Sequence, residues 1–316
     1  MIDFHFLDVG AGDSIFLTWD DGEQKKCLVL DCKKQAGTNP VLDAVKNLEL
    51  TEIEYVILSH PHYDHFSGML ELLQYCQTSS ISISYFLHTS KVKKEFITSL
   101  DSTLSKQEYV KLFKKVKELA ASGMKTAAIS QDSPSPYLPI KDGFSCTILA
   151  PFETQTNEFM LRSHDDKKPN ENILSTVLCI EASGNFVLLT ADAEVKVLMK
   201  LQKKLSKKGN LVLGQVPHHG SEENHSKTFW LNRRKQNSQQ FAVISAGGRY
   251  GHPGDDVVKD FQDLGYELRA TCGLAPPTNA PSTRISRALS AFSVTTGVQN
   301  GNHGFTFQQN GTLVEV

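Results

Sequence analysis

Residues 59–68 read SHPHYDHFSG, and His60, His62, Asp64 and His65 put three imidazoles and one carboxylate into six consecutive positions. Imidazole suits zinc, manganese and iron, and an adjacent carboxylate favours harder or bridging roles, so the cluster reads as part of a metal site. One loop cannot close a site for two metals, and the remaining ligands must come from elsewhere in the chain. Three other stretches end an apolar run on metal-capable residues: NFVLLTAD on Asp192, LVLGQVPHHGS on His218 and His219, and FAVISAGGRYGHP near His252. Taken singly each has an ordinary explanation, since an aspartate after a strand often caps the next helix and a His-Pro pair is commonly loop. The repetition of strand and then ligand favours a shared site.

The elements that must position these residues can be read from periodicity. Short runs rich in β-branched and aromatic residues are expected as strands: IDFHFLDVG, SIFLTW, KCLVLDC, EYVILSH, SISYFLH, FSCTILAP, TVLCIEA, NFVLLTAD, LVLGQVPHH and FAVISAGG. Helical patterns follow several of them, in GMLELLQYC, AEVKVLMKLQKKLSKK and DDVVKDFQDLG. This order suggests two similar halves, with sheets packed together and helices outside. The histidine loop falls between a strand and a helix, where the backbone can turn several side chains toward one point. One domain is expected over 1–316, with 90–140 an insertion or cap and 274–316 an irregular segment ending in a hairpin at Asn310-Gly311. The lysines of KLFKKVKE fit a solvated helix face better than a phosphate-tracking surface.

With 316 residues, 40% of them hydrophobic and 22% charged, the chain resembles an ordinary soluble globular protein. A formal net charge of -2 gives no global attraction to nucleic acid or anionic membrane, so an anionic substrate must be drawn in locally. The six cysteines form no CxxC pair and are expected as reduced thiols. MIDFHFLDVG has no basic n-region, no transmembrane run is present, and the expected location is cytoplasmic.

His60-x-His62-x-Asp64-His65 is similar to the HxHxDH signature of the metallo-β-lactamase superfamily. FLDVGAGDSIFL, LVLDC, NENILSTVL, LLTADAE, VPHHGS and GHP resemble one branch, the soluble hydrolase domain of ComEC-type DNA-uptake proteins and their free-standing relatives. The resemblance covers 1 to about 75 and 165 to about 275. It implies an αββα sandwich carrying two divalent metal ions, zinc or manganese. His60 and His62 would hold the first ion, Asp64 and His65 the second, and Asp192 would bridge them. One of His218 and His219 would complete the second site; His218, the first off its strand, is favoured over His219, which would then face substrate. Many superfamily members supply a third histidine to the first metal, but KKPNENILS has none and His164 lies too early. The first ion is therefore expected to be less fully coordinated.

The chemistry so implied is hydrolysis by a metal-bound hydroxide, most readily of a phosphodiester in nucleic acid or a nucleotide. Asp64 would orient the nucleophile, while His219 and His252 would donate hydrogen bonds to a phosphoryl oxygen or leaving group. Asp31 and Ser221 are placed to brace the loops, Ser221 also to meet substrate, and Lys33 and Arg249 to form a basic rim. Asp13 is expected to hold a turn, for which Gly10 and Gly12 give the freedom. The alternatives are hydrolysis of a lactam, thioester or lactone, and a non-catalytic, partner-dependent subunit.

Overall fold

The computed structural model describes residues 1–22, 24–35, 37–89, 97, 100, 103–133, 137–162, 171–247, 251–271 and 301–316. Arg249, His164 and Cys272 lie outside the described residues.

Each apolar run expected as a strand is one. In chain order they are β1 (Ile2–Phe6), β2 (Ile15–Asp20), β3 (Lys25–Leu30), β4 (Glu52–Leu58) and β5 (Ser82–His88). Next come β6 (Lys125–Ala128), β7 (Tyr137–Leu138), β8 (Ser145–Ala150), β9 (Val177–Ala182) and β10 (Asn185–Leu189). The last five are β11 (Asn210–Gln215), β12 (Phe241–Ile244), β13 (Glu267–Ala270), β14 (His303–Phe307) and β15 (Leu313–Glu315). They form two sheets, ordered β15-β14-β1-β2-β3-β4-β5-β6 and β13-β12-β11-β10-β9-β8-β7. Sheet faces touch through Phe4, Phe6, Leu17, Leu30 and Ile57 on one side and Ile148, Leu178, Val187, Leu213 and Val243 on the other, all buried. Because β4, β10 and β12 are covered on both faces, their sequences run apolar without strict alternation.

Helices cover the outer faces and complete four αββα layers. On the first sheet lie α1 (Pro40–Asn47), α2 (Tyr63–Phe66), α3 (Met69–Thr78) and α4 (Thr103–Ala121). Helix α1 starts where Asn39 Oδ1 accepts the Leu42 amide at 3.2 Å and Pro40 fixes the first turn. The chain then forms α5 (Glu153–Arg162), and α6 (Val195–Leu205), α7 (Lys227–Leu231) and α8 (Asp255–Asp263) cover the second sheet. Helix α6 buries Val197, Leu198, Leu201 and Leu205, one stripe at helical spacing, with lysines on the other side. Each such side chain contributes about 1.5–3 kcal/mol, and Leu201→Ala would cost roughly 2–5 kcal/mol.

In the stretch 90–140, α4 packs on the outer layer, with the Tyr109 ring 5.5 Å from Phe66, and β6 pairs in parallel with β5. The C-terminal hairpin turns at Asn310-Gly311, and its strand β14 pairs with β1. Cys27, Cys32, Cys76, Cys146 and Cys179 are buried free thiols. Among the described residues no helix is long and apolar enough to cross a membrane.

One rim of the sandwich gathers the carboxyl ends of β3 and β4 from one sheet and of β10, β11 and β12 from the other, each set parallel. The two sheets are sewn together there by Thr176, whose amide (3.1 Å) and hydroxyl (3.2 Å) both donate to the Ser59 carbonyl.

Candidate metal centre

The loop after β4 carries His60, His62, Asp64 and His65 to this rim, and that after β10 brings Asp192. The β11 strand hands over to Pro217–Gly220, a turn in which His218 (φ 49°) and His219 (φ 55°) both adopt left-handed backbone. Two successive non-glycine residues in that region are uncommon and mark a constrained loop. Asp31 (φ 61°) ends β3 in the same way. Gly12 (φ 137°) lies so close to Asp64 that a Cβ would stand 2.4 Å from its carbonyl oxygen. Only glycine lets the 10–13 turn reach the histidine loop, and there Asp13 enters the cluster.

His60, His65 and Asp192 each offer an atom within 4.8 Å of the others, as do Asp64, His65 and His219, and Asp13, Asp192 and His219. Asp192 lies between the groups, with Oδ2 3.7 Å from His60 Nε2 and 3.5 Å from His65 Nε2, and Oδ1 3.5 Å from His219 Nε2. The surrounding acceptors fix which ring nitrogen carries the hydrogen when each imidazole is neutral. His219 Nδ1 lies 2.7 Å from the Ser245 carbonyl, which can only accept, so Nε2 keeps its lone pair. His65 Nδ1 lies 2.7 Å from Asp31 Oδ2, again leaving Nε2 toward the cluster. The Ser59 hydroxyl donates to Asp31 Oδ2 at 2.5 Å, and its oxygen therefore accepts from His60 Nδ1 at 3.0 Å. His62 Nε2 faces Glu171 Oε2 at 3.2 Å. His60 Nε2 and His62 Nδ1 then meet at 3.0 Å with both hydrogens committed elsewhere. In the neutral rings the facing lone pairs repel unless a cation or a proton lies between them, and on His62 burial is outweighed by Glu171, which raises the pKa.

The donor set fits divalent metal. His65 Nε2, His219 Nε2, Asp192 Oδ1 and Asp13 Oδ1 are buried and have no hydrogen-bond partner among the described residues, and coordination would satisfy such atoms. Burial opposes charge on Asp192, but His219 and His65 outweigh it and hold its carboxyl well below the usual range. Burial, with His65 and His62 beside it, pushes His60 well below the ordinary imidazole value, toward the neutral ligating form. On His65 burial is outweighed by Asp192 and Asp31, and the pKa is raised well above the ordinary value.

His218 is placed differently from the expectation that it would be the ligand. Its Nε2 is 3.8 Å from Asp192, but both ring nitrogens face side-chain amides, Nδ1 that of Asn224 at 2.5 Å and Nε2 that of Asn172 at 3.4 Å. His219 is the member of the pair that joins Asp64 and His65 in a ligating group. Two left-handed residues swing the second side chain back toward the rim. His252 stacks its ring 5.4 Å from that of His218, and burial with His218 and His219 nearby lowers its pKa to about 4.

Of the residues expected to meet substrate, Ser221 is buried behind this turn and its amide donates to the His218 carbonyl at 2.9 Å. The Lys33 ammonium donates to the Val9 carbonyl at 2.5 Å, which ties it to the 9–13 turn. Asp31 braces the loop through the Ser59 amide (2.8 Å), the Ser59 hydroxyl and His65. Three participants were missed or misjudged from sequence. Asp13, read as a turn residue, puts its carboxylate in the cluster while accepting from Gln215 Nε2 at 2.9 Å. Glu171 and Asn172 follow β8 and α5 in the stretch inspected for a histidine. The available signal was a carboxylate and an amide in place of that histidine.

Residues 8–96 match the family model of the metallo-beta-lactamase superfamily, a span that includes Asp13, Asp31 and the whole histidine loop. No curated protein matches the chain. Among solved structures it is similar to the metallo-beta-lactamase fold protein YhfI from Bacillus subtilis, at 13% identity and a TM-score of 0.43, over 99% of this chain and 100% of that one. It is similar to Zn(2+)-bound PqqB from Methylobacterium extorquens at 12% identity and a TM-score of 0.46, over 85% and 97% of the two chains. It is also similar to a diphosphatase from the PhnP family at 9% identity and a TM-score of 0.43, over 100% and 98%.

Proposed function

We propose that this protein is a metal-dependent hydrolase acting on phosphodiesters in nucleic acid or nucleotides, with two divalent ions, zinc or manganese, as cofactors. The observation carrying this reading is the convergence at one rim of four imidazole nitrogens, oriented by Ser59, Glu171, Asp31 and Ser245, around the buried Asp192 carboxylate. His60 Nε2, His62 Nδ1 and Asp192 would hold one ion. Asp64, His65 Nε2, His219 Nε2 and Asp192 would hold the other.

Bound there, the pair of cations would lower the pKa of a water and neutralise charge developing on a phosphoryl group. The chain's own residues then divide the remaining work. Asp64, partly open to solvent, orients the attacking water and accepts its proton. His218 and His252, adjacent and partly exposed, face the substrate, His252 holding a hydrogen bond to a phosphoryl or leaving-group oxygen. Ser221 holds the His218 backbone in place, and Lys33 does the same for the turn that carries Asp13. Phosphodiesters are preferred to other bonds because the phrases flanking the ligands resemble the ComEC-type branch, and a cytoplasmic site of action fits that reading. The test is hydrolysis of bis-p-nitrophenyl phosphate and of single- and double-stranded DNA with zinc, manganese or chelator. Metal-dependent cleavage supports the reading. Cleavage of a lactam, thioester or lactone with no phosphodiester cleaved would refute it.

A further inference from the structure

Glu171 is only 2% exposed, yet its carboxylate has a single hydrogen-bond partner among the described residues. Oε2 lies 3.2 Å from His62 Nε2, and Oε1 is buried with no partner among the described residues. A carboxylate taken out of water in this way is costly, and among the described residues no ion pair with lysine or arginine offsets it. The short 3-10 turn Glu171–Leu174 delivers it to the rim, beside Asn172 and shortly before Thr176, which fastens the two sheets. Among the described residues the group that gains from this carboxylate is His62.

We propose that Glu171 is a positioning residue for the first metal, fixing the His62 ring in the tautomer that leaves Nδ1 as a lone pair facing His60 Nε2. A carboxylate oxygen accepts and does not donate when ionised, so the His62 hydrogen stays on Nε2. Nδ1 is then 3.0 Å from His60 Nε2, and the two lone pairs point at one position. When a cation draws electron density from the ring, Nε2–H becomes a stronger donor and the bond to Glu171 tightens, which raises the ligand's basicity. Glu171 thus supports the first ion, for which the described residues supply no third imidazole, without having to touch it. The inference rests on the dinuclear reading above for its consequence, but the tautomer can be tested without metal.

The experiment uses the full chain with zinc as probe, titrated against a chromophoric chelator, in wild type, Glu171→Gln and Glu171→Ala. It is paired with long-range proton–nitrogen NMR of His62 in the metal-free proteins. Glutamine keeps an oxygen that can accept from Nε2–H, whereas alanine keeps none. Wild type and Glu171→Gln should show His62 protonated at Nε2 and first-site affinities within about 3-fold of each other. Glu171→Ala should show mixed tautomers and a first-site affinity lower by about 10- to 100-fold, with the second site unchanged. Equal losses in both variants would mean that the carboxylate itself binds the ion, and no loss in either would mean a merely structural role; both overturn the proposal. Failure of wild type to bind zinc would refute the dinuclear reading, while the metal-free tautomers would still decide the role of Glu171.

Discussion

Asp31→Asn isolates what the brace beneath the histidine loop contributes. Asp31 is fully buried, has φ 61°, and accepts from the Ser59 amide at 2.8 Å, the Ser59 hydroxyl at 2.5 Å and His65 Nδ1 at 2.7 Å. Asparagine tolerates the left-handed backbone and can still accept from the Ser59 amide through Oδ1, so the fold is retained. Its NH2 then faces two hydrogens where Oδ2 stood. The serine hydroxyl can rotate to accept, but His65 can escape a donor-to-donor contact only by moving its hydrogen from Nδ1 to Nε2. That is the nitrogen 3.5 Å from Asp192 that must carry a lone pair for the second ion. Loss of such a supporting acceptor lowers metal affinity by about 10- to 100-fold, or about 1.4–2.8 kcal/mol. The comparable aspartate swap behind a catalytic histidine elsewhere lowers turnover by up to about 10⁴. Chelator competition measures the affinity, thermal unfolding reports the fold, and long-range nitrogen NMR reads the tautomer. Two ions held at wild-type affinity with His65 still protonated at Nδ1 would refute the reasoning.

Further expectations follow from the same geometry. His219→Ala should lose the second ion, whereas His218→Ala should keep both and slow turnover by about 100-fold; metal analysis showing the reverse would restore His218 as the ligand. His252→Ala should reduce turnover with metal content unchanged, and loss of an ion would make it a ligand. In the metal-free protein burial of His65 is outweighed by Asp192 and Asp31, which raise its pKa and favour the doubly protonated ring, whose Nε2 proton a cation must displace. Metal affinity should therefore rise with pH and fall as the medium becomes acid, and calorimetry in buffers of different ionisation enthalpy should show about one proton released per molecule loaded; a buffer-independent heat would contradict this. Gly247→Ala would place a Cβ 1.9 Å from the Ala11 amide nitrogen, so about 1–3 kcal/mol of stability should be lost and the Asp13 turn displaced. An unchanged melting temperature would show that the turn can yield.

The layered fold was largely legible because burial on both faces writes itself as short apolar runs, as in VLCIEA of β9 and NFVLL of β10. Strand β6 was not, since Lys125–Ala128 is exposed throughout and owes its conformation to pairing with β5. Helix α1 was overlooked although Asn39-Pro40 and the spacing of Val41, Leu42 and Val45 carried its signal. At the rim, the structure brings together His60, His62, Asp64, His65 and Asp192, which the sequence had singled out by type and by their place after strands. The order of His218 and His219 was beyond that reasoning, because it depends on two positive φ angles that residue type does not announce. Glu171 and Asp13 escaped for another reason. Each is an acidic residue in an unremarkable turn until tertiary packing removes it from water beside an imidazole.

The most direct test is to load the purified chain with zinc or manganese, count the ions, and follow bis-p-nitrophenyl phosphate hydrolysis alongside Asp192→Asn. The account predicts two ions and metal-dependent turnover in the wild type, with both lost in a folded Asp192→Asn protein. Undiminished hydrolysis in that variant, or two tightly held ions with every phosphodiester left intact, would contradict it.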